Sequence, residues 1–120
     1  DKEAVGLWAE LRGISYISYA DLSQKPQVIA LIATAVKHVN SALPIGLQLR
    51  KFVCLHKEFD ADDGEITRTR KIRRNVVEER YKPIIDAIYG HQNTVLMKAK
   101  VSYESGEVGV IERTLSVQEA

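Results

Sequence analysis

Apolar residues recur at two periods along this chain, and the change of period divides it into a helical part and a strand-forming tail. Val5, Trp8 and Leu11 are spaced for one helical face, which predicts a helix over 1–12 stopped by Gly13, although Gly6 weakens it. Ile14–Tyr19 reads as a loop or short extended piece, with Tyr16 and Tyr19 available to pack. Val28, Ile29, Ile32, Ala35, Val36, Val39 and Leu43 then form a longer helical stripe. Ser23 is its predicted cap, Pro26 lies in its first turn, and Pro44 and Gly46 end it. Leu47–Leu55 predicts a strand. Its Phe52–Leu55 part is nearly all apolar, as expected for a central strand covered on both faces. Ile72, Val76, Val77, Tyr81, Ile84, Ile85 and Ile88 predict an amphipathic helix over 72–89, with Pro83 breaking it near Lys82 and Gly90 stopping it. After Gly90 the period falls to two. Val95, Met97, Ala99, Val101 and Tyr103 alternate with polar residues, a turn is expected at Ser105-Gly106, and Val108–Val117 returns as the second arm of a β-hairpin.

The order helix, helix, strand, turn, helix, hairpin predicts an α+β fold: a small sheet with helices packed mainly on one face, and a C-terminal β-hairpin. A length of 120 residues suits one domain, and 45% hydrophobic with 28% charged residues is ordinary for a soluble globular one. No apolar run approaches the ~18 residues of a membrane span. The start, Asp1-Lys2-Glu3-Ala4, has neither an initiator Met nor a signal pattern and reads as a piece of something larger. A single cysteine, Cys54, excludes an intramolecular disulfide and suits a reducing, cytoplasmic compartment. Its apolar neighbours predict a buried, inert thiol.

Candidate chemistry is sparse. His38, His56 and His91 are far apart, and none has a metal-ligand neighbour at the right spacing. Asp60-Ala61-Asp62-Asp63-Gly64 resembles a calcium loop only superficially, since Gly64 stands where a ligand should be and no closing glutamate follows. It reads as a polar turn. There is no glycine-rich phosphate cradle and no nucleophile elbow. What stands out is Thr67-Arg68-Thr69-Arg70-Lys71-Ile72-Arg73-Arg74, a dense basic run in a chain of net charge +1. Three readings are open: a contact for nucleic acid or another polyanion through 68–74, a solvated face with weak ion pairs, or one presented lysine. Asp60, Asp62, Asp63 and Glu65 before the run, with Glu78 and Glu79 after it, argue against a broad polyanion site. Thr67 and Thr69 favour extended backbone, and Lys71 falls just before the predicted helix, where a long side chain reaches outward.

Three stretches carry a family resemblance: Phe52-Val53-Cys54-Leu55-His56-Lys57-Glu58-Phe59, then Gly64-Glu65-Ile66 running into the basic run, then Val76-Val77-Glu78-Glu79-Arg80-Tyr81. With Ile88-Tyr89-Gly90 after them, they resemble the C-terminal domain of bacterial AMP-forming long-chain fatty-acid–CoA ligases, of the adenylate-forming superfamily. Trp8-Ala9-Glu10, Ser18-Tyr19-Ala20-Asp21-Leu22 and Val39-Asn40-Ser41-Ala42-Leu43 fit the same pattern, so the resemblance runs over about residues 1–90. Its specificity lies in Thr67-x-Thr69-x-Lys71-x-Arg73-Arg74 followed by Val77-Glu78-Glu79-Arg80-Tyr81. One departure is visible: Arg70 stands where the superfamily usually has a small residue before the lysine.

The resemblance implies that residues 1–120 are a single C-terminal lid domain of a larger two-domain enzyme, mobile between two half-reactions. Fatty acid and ATP with Mg2+ would first give an acyl-adenylate, and coenzyme A would then take the acyl group. It implies a catalytic role in adenylation for Lys71, and substrate or cofactor contacts for Thr69, Arg70 and Arg73. No metal ligand falls in this chain; the nucleotide and Mg2+ would be held mainly by the N-terminal adenylation domain, the lid's expected partner. The piece alone is expected to be inactive. Nucleic acid is not an expected partner, and peripheral membrane association is open to the full-length enzyme.

Overall fold

A computed structural model describes residues 1–102, 106 and 108–120. It is an α+β fold with five α-helices and a three-stranded antiparallel sheet among those residues. Helix α1 spans Lys2–Leu11, and the Asp1 carboxylate caps it by accepting from the N–H groups of Glu3 and Ala4. Gly13 follows at φ 68, as a helix stop requires. Gly6 is tolerated inside α1 for a packing reason: a Cβ there would stand 2.8 Å from the Tyr16 hydroxyl.

The segment expected as a loop over 14–19 ends in a short helix, α2, Tyr19–Ser23, capped by the Ser18 hydroxyl. This shifts the expected cap. Ser23 closes α2, donating to the Ala20 carbonyl at 2.8 Å, and does not begin the next helix. That helix, α3, runs over Pro26–Ser41 with Lys25 at its cap position and no side-chain cap bond. Pro26 compensates, because its missing N–H is one the helix start would leave unpaired anyway. Ala9, Leu22 and Val28 form a small core where α1, α2 and α3 meet.

Strand β1 is Lys51–Val53, shorter than the expected 47–55, because Ile45–Leu47 forms a 3-10 turn instead. The sheet order is β1-β3-β2, so β1 is an edge strand rather than the centre. Its apolar run has another cause. Phe52 and Cys54 line a cleft with Val28, Ile32 and Val36 of α3, while Val53 and Leu55 pack on the main core. Burial pushes the Cys54 thiol up, away from its reactive form. The central strand is the last one, β3 (Val108–Glu119). It pairs with β1 through Lys51–Glu119 and Val53–Val117, and with β2 (Thr94–Ser102) along its whole length. The hairpin is therefore present. Ser105 of its expected turn, Tyr103, and the side chains at Ala99 and Val101 lie outside the described residues.

The expected helix over 72–89 is two helices, α4 (Arg74–Arg80) and α5 (Lys82–Tyr89), broken at Tyr81 just before Pro83. Ile72 lies outside both; it bridges to Ile66 and is 55% exposed. Tyr81, Ile84 and Ala87 pack against Val95, Met97 and Leu115 of the sheet to form the main core. The residue in the left-handed region after α5 is His91 at φ 62, not Gly90. Gly90 is needed for space: a Cβ there would meet the Asp86 carbonyl at 2.7 Å. Gln24 joins the two cores, donating to the Cys54 carbonyl at 2.8 Å and accepting from the Ser116 N–H at 3.0 Å.

Candidate active site

The basic run does not extend straight into a helix. Thr67–Lys71 closes a tight reversal in which the Arg70 N–H donates to the Thr67 carbonyl at 2.9 Å and the Thr67 N–H to the Lys71 carbonyl at 2.8 Å. Ile66 and Ile72 pair at its base. This is a three-residue hairpin loop with a left-handed residue at its end, the position normally given to glycine. Arg70 occupies it at φ 62. The two threonines, expected in extended backbone, instead hold the reversal. Their hydroxyls are 3.0 Å apart, and that of Thr67 also accepts from the Lys71 N–H at 3.1 Å.

Lys71 is thus clamped at its backbone on both sides. Its side chain is exposed, and among the described residues no carboxylate lies within ion-pair distance of its amine. The neighbouring cations have surroundings of their own. Arg70 borders a cleft of about 650 Å³ beside Lys2, Tyr19 and Glu58. Arg73 lies over Gly64, with its Nη1 3.6 Å from where a Cβ would stand. Arg74 opens α4, and among the described residues no ion pair joins it to Glu78. Of the predicted site residues, Thr69, Arg70 and Lys71 share one turn, while Arg73 sits past its base.

That turn rests on a residue the sequence reading passed over. Glu65 is fully buried. Its carboxylate accepts from Lys57 Nζ, from the Tyr81 hydroxyl and from the Asp60 N–H. Arg80 is 3.6 Å away and donates to the Asp63 carbonyl at 2.6 Å. Lys57 also reaches Asp63 at 2.7 Å, so the acidic turn is tied to the protein by its own cations. Burial alone would push the Glu65 carboxyl up; the bonds from Lys57, Tyr81 and Asp60 outweigh it and hold the group below its ordinary range. Burial, and then the hydrogen bond to Glu65, push the Tyr81 hydroxyl up to about 12. Burial lowers His56, helped by the Lys57 charge, and among the described residues its Nδ1 has no partner. One signal for Glu65 was present in the sequence: Tyr81 lies on the buried stripe, and a buried tyrosine hydroxyl needs a partner.

Chemically, the arrangement offers one mobile ammonium on a fixed base. Asp60 and Asp63 are engaged within the acidic turn. Sequence comparison supplies the context. The chain is 38% identical over 93 residues to the long-chain-fatty-acid–CoA ligase FadD15 of Mycobacterium tuberculosis, covering 77% of this chain and 16% of that protein. It is 38% identical over 73 residues to the long-chain-fatty-acid–CoA ligase ACSBG2 of Gallus gallus, covering 60% of this chain and 10% of that one. Over this stretch the chain is homologous to long-chain fatty-acid–CoA ligases. Drosophila melanogaster heimdall, another such ligase, is 31% identical over 70 residues, covering 58% and 10%. No family profile and no solved structure matches the chain. The chain therefore spans about a sixth or less of the length of these ligases. The polyanion-binding alternative gains no support from them.

Proposed function

We propose that this chain is the C-terminal lid of a fatty-acid–CoA ligase and that Lys71 acts in the adenylation half-reaction. The observation that carries this reading is the clamped backbone of Lys71, whose amine has no ion-pair partner among the described residues, in a chain related to such ligases. In that half-reaction a carboxylate oxygen attacks the α-phosphorus of ATP. A bond forms between them, the bond to pyrophosphate breaks, and an acyl-adenylate results. Two anions approach and negative charge spreads over phosphoryl oxygens, so a cation placed there in advance favours the transition state over the separated reactants. Mg2+, bound with the nucleotide by the rest of the enzyme, would neutralise the pyrophosphate. Lysine suits the lid's part as a compact charge on a long stem. Withdrawal of the lid then removes the ammonium and opens that side for the coenzyme A thiol, which attacks the acyl carbon and releases AMP.

The test is the full-length protein carrying Lys71→Ala. Fatty-acid-dependent exchange of pyrophosphate into ATP should fall by about 100-fold or more, the scale of losing one preplaced electrostatic group. Thioester formation from preformed acyl-adenylate should persist. Equal loss of both steps would remove Lys71 from the adenylation role.

A further inference from the structure

We propose that Lys57 is a positioning residue for Lys71, acting through Glu65, a role that rests on the adenylation reading of Lys71. Residues 65–73 form a narrow two-stranded ribbon. The Arg73 N–H donates to the Glu65 carbonyl at 2.9 Å, the Thr67 N–H donates to the Lys71 carbonyl at 2.8 Å, and Ile66 pairs with Ile72 between them. A ribbon of that size is marginal by itself, so its attachment to the rest of the fold must come from side chains. Glu65 is the one buried residue of the ribbon; Ile66 and Thr67 are half-buried, and 68–73 are exposed. The placement of the tip is therefore governed by what holds the Glu65 carboxylate.

Three groups hydrogen-bond that carboxylate: Lys57 Nζ, the Tyr81 hydroxyl and the Asp60 N–H. Only Lys57 among them carries a charge. Arg80 stands off at 3.6 Å and is the more exposed of the two cations. Lys57 also reaches Asp63 at 2.7 Å, so one ammonium spans Gly64 and ties both of its flanks. It lies outside the basic run, between β1 and the acidic turn, so the cation that Glu65 needs is supplied from the sheet side of the fold. A buried carboxylate deprived of its counter-ion is strongly unfavourable. Without Lys57, Glu65 takes up a proton or turns outward to water, and the ribbon loses its fixed point either way. Reacting groups tolerate little displacement: a shift of about 1 Å is enough to cost a reaction about 100-fold. Loss of Lys57 should accordingly lower the rate rather than substrate affinity, although Lys57 itself stays away from the reacting atoms.

The test is a double-mutant cycle in the full-length protein between Lys57→Met and Lys71→Ala, read as fatty-acid-dependent pyrophosphate exchange. Lys57→Met alone should slow exchange about tenfold at saturating substrates and leave the KM values near the original ones. Once Lys71 is replaced, the same substitution should cost about twofold at most, because no amine is left to place. Lys57→Arg keeps a charge within reach of both carboxylates and should recover most of the rate. Amide hydrogen exchange gives a readout separate from catalysis: Lys57→Met should accelerate it over 65–73 and leave β2 and β3 unchanged. Should Lys57→Met fail to fold, K57M/E65Q, which removes the buried charge together with its counter-ion, serves in its place. Full exchange activity of Lys57→Met, an equal loss with and without Lys71, or unaltered amide exchange over 65–73 would each overturn the proposal. Normal activity of Lys71→Ala would instead overturn the adenylation reading, and amide exchange would then decide by itself whether Lys57 holds the turn.

Discussion

The backbone N–H of Arg73 donates to the carbonyl of Glu65 across 2.9 Å, and this bond closes the loop whose far end carries Lys71. The same Glu65 buries its carboxylate among Lys57, Tyr81 and the Asp60 N–H. An exposed amine is therefore fixed, a few residues back, to one of the least accessible side chains among the described residues. Fixing the base of the turn limits the freedom of its tip, so under the adenylation role proposed for Lys71 its placement would depend on Glu65, a residue away from the reacting atoms.

Tyr81→Phe tests that dependence. The ring packs against Phe59, with centroids 5.9 Å apart, and the substitution keeps this contact. Only the donor to Glu65 is lost. A buried charged acceptor deprived of one partner should lower stability by about 1–3 kcal/mol, read by urea unfolding. The pyrophosphate exchange rate of the full-length protein should fall less than for Lys71→Ala. A Tyr81→Phe protein as stable as the original would show that Glu65 does not need this bond.

Stability should form a plateau in pH. Glu65 and Asp63 titrate below their ordinary values when folded, so their contribution is complete above the unfolded carboxylate range and is lost as pH falls through the folded values. His56 is also lowered, by burial first, so its contribution is complete above 6.5 and is lost as pH falls through its folded value. Tyr81 is raised, so its contribution holds below 10.0 and is lost as pH rises through about 12. For Tyr81 alone the full shift corresponds to roughly 2–3 kcal/mol. Urea midpoints should be flat between these limits and fall on both sides. His56→Gln should flatten the first part of the acid slope, below 6.5, and leave the carboxylate part; an unchanged acid slope would discount His56.

Thr67→Val separates turn geometry from turn charge. The hydroxyl it removes accepts from the Lys71 N–H and meets that of Thr69. Val retains the branched shape, so the expected effect is a loss of about 1 kcal/mol and a several-fold slower adenylation step. Thr67→Ser should restore both. If Val and Ser behave alike, the hydroxyl has no part in holding Lys71.

Much of this arrangement was legible in the chain, for identifiable reasons. The stripe from Val76 to Ile88 and the alternation after Gly90 follow from burial on one face, and both elements form, with the break next to Pro83. Ser23 and Ile72 misled because each sits one short element away from the helix it was assigned to. Local spacing cannot tell a cap from the end of a preceding turn, or an exposed bridge residue from the start of a stripe. The centre of the sheet was missed because its order depends on pairing between residues far apart, with Val53 meeting Val117. Glu65 was passed over for a related reason. A carboxylate beside an acidic turn reads as solvated until Lys57 and Tyr81 are known to converge on it.

Gln24→Ala should loosen α2 and α3 from the sheet. The Gln24 amide bonds the Cys54 carbonyl next to β1 and the Ser116 N–H of β3, two partners that no other side chain is shown to satisfy. Only Val28 of α3 is buried, so few apolar contacts replace the lost bonds. The expected cost is about 1–3 kcal/mol, with faster hydrogen exchange in α2 and α3 than in β2 and β3. Uniform acceleration across the sheet would mean that the two cores unfold as one.

Arg70 holds the left-handed position of the turn, and the structure gives that placement a physical cost. At φ 62 its Cβ crowds the backbone, whereas glycine adopts the same conformation freely. Arg70→Gly relieves that strain but adds freedom to the unfolded chain, for a net gain of about 0.5–1 kcal/mol. Arg70→Pro should do the opposite, because proline fixes φ near −65° and removes the N–H that donates to the Thr67 carbonyl. Adenylation by the full-length Gly variant should match that of the original if Arg70 serves only the turn. A stable Gly variant with slow adenylation would instead assign the guanidinium to substrate or cofactor, and thermal unfolding measured beside pyrophosphate exchange separates these outcomes.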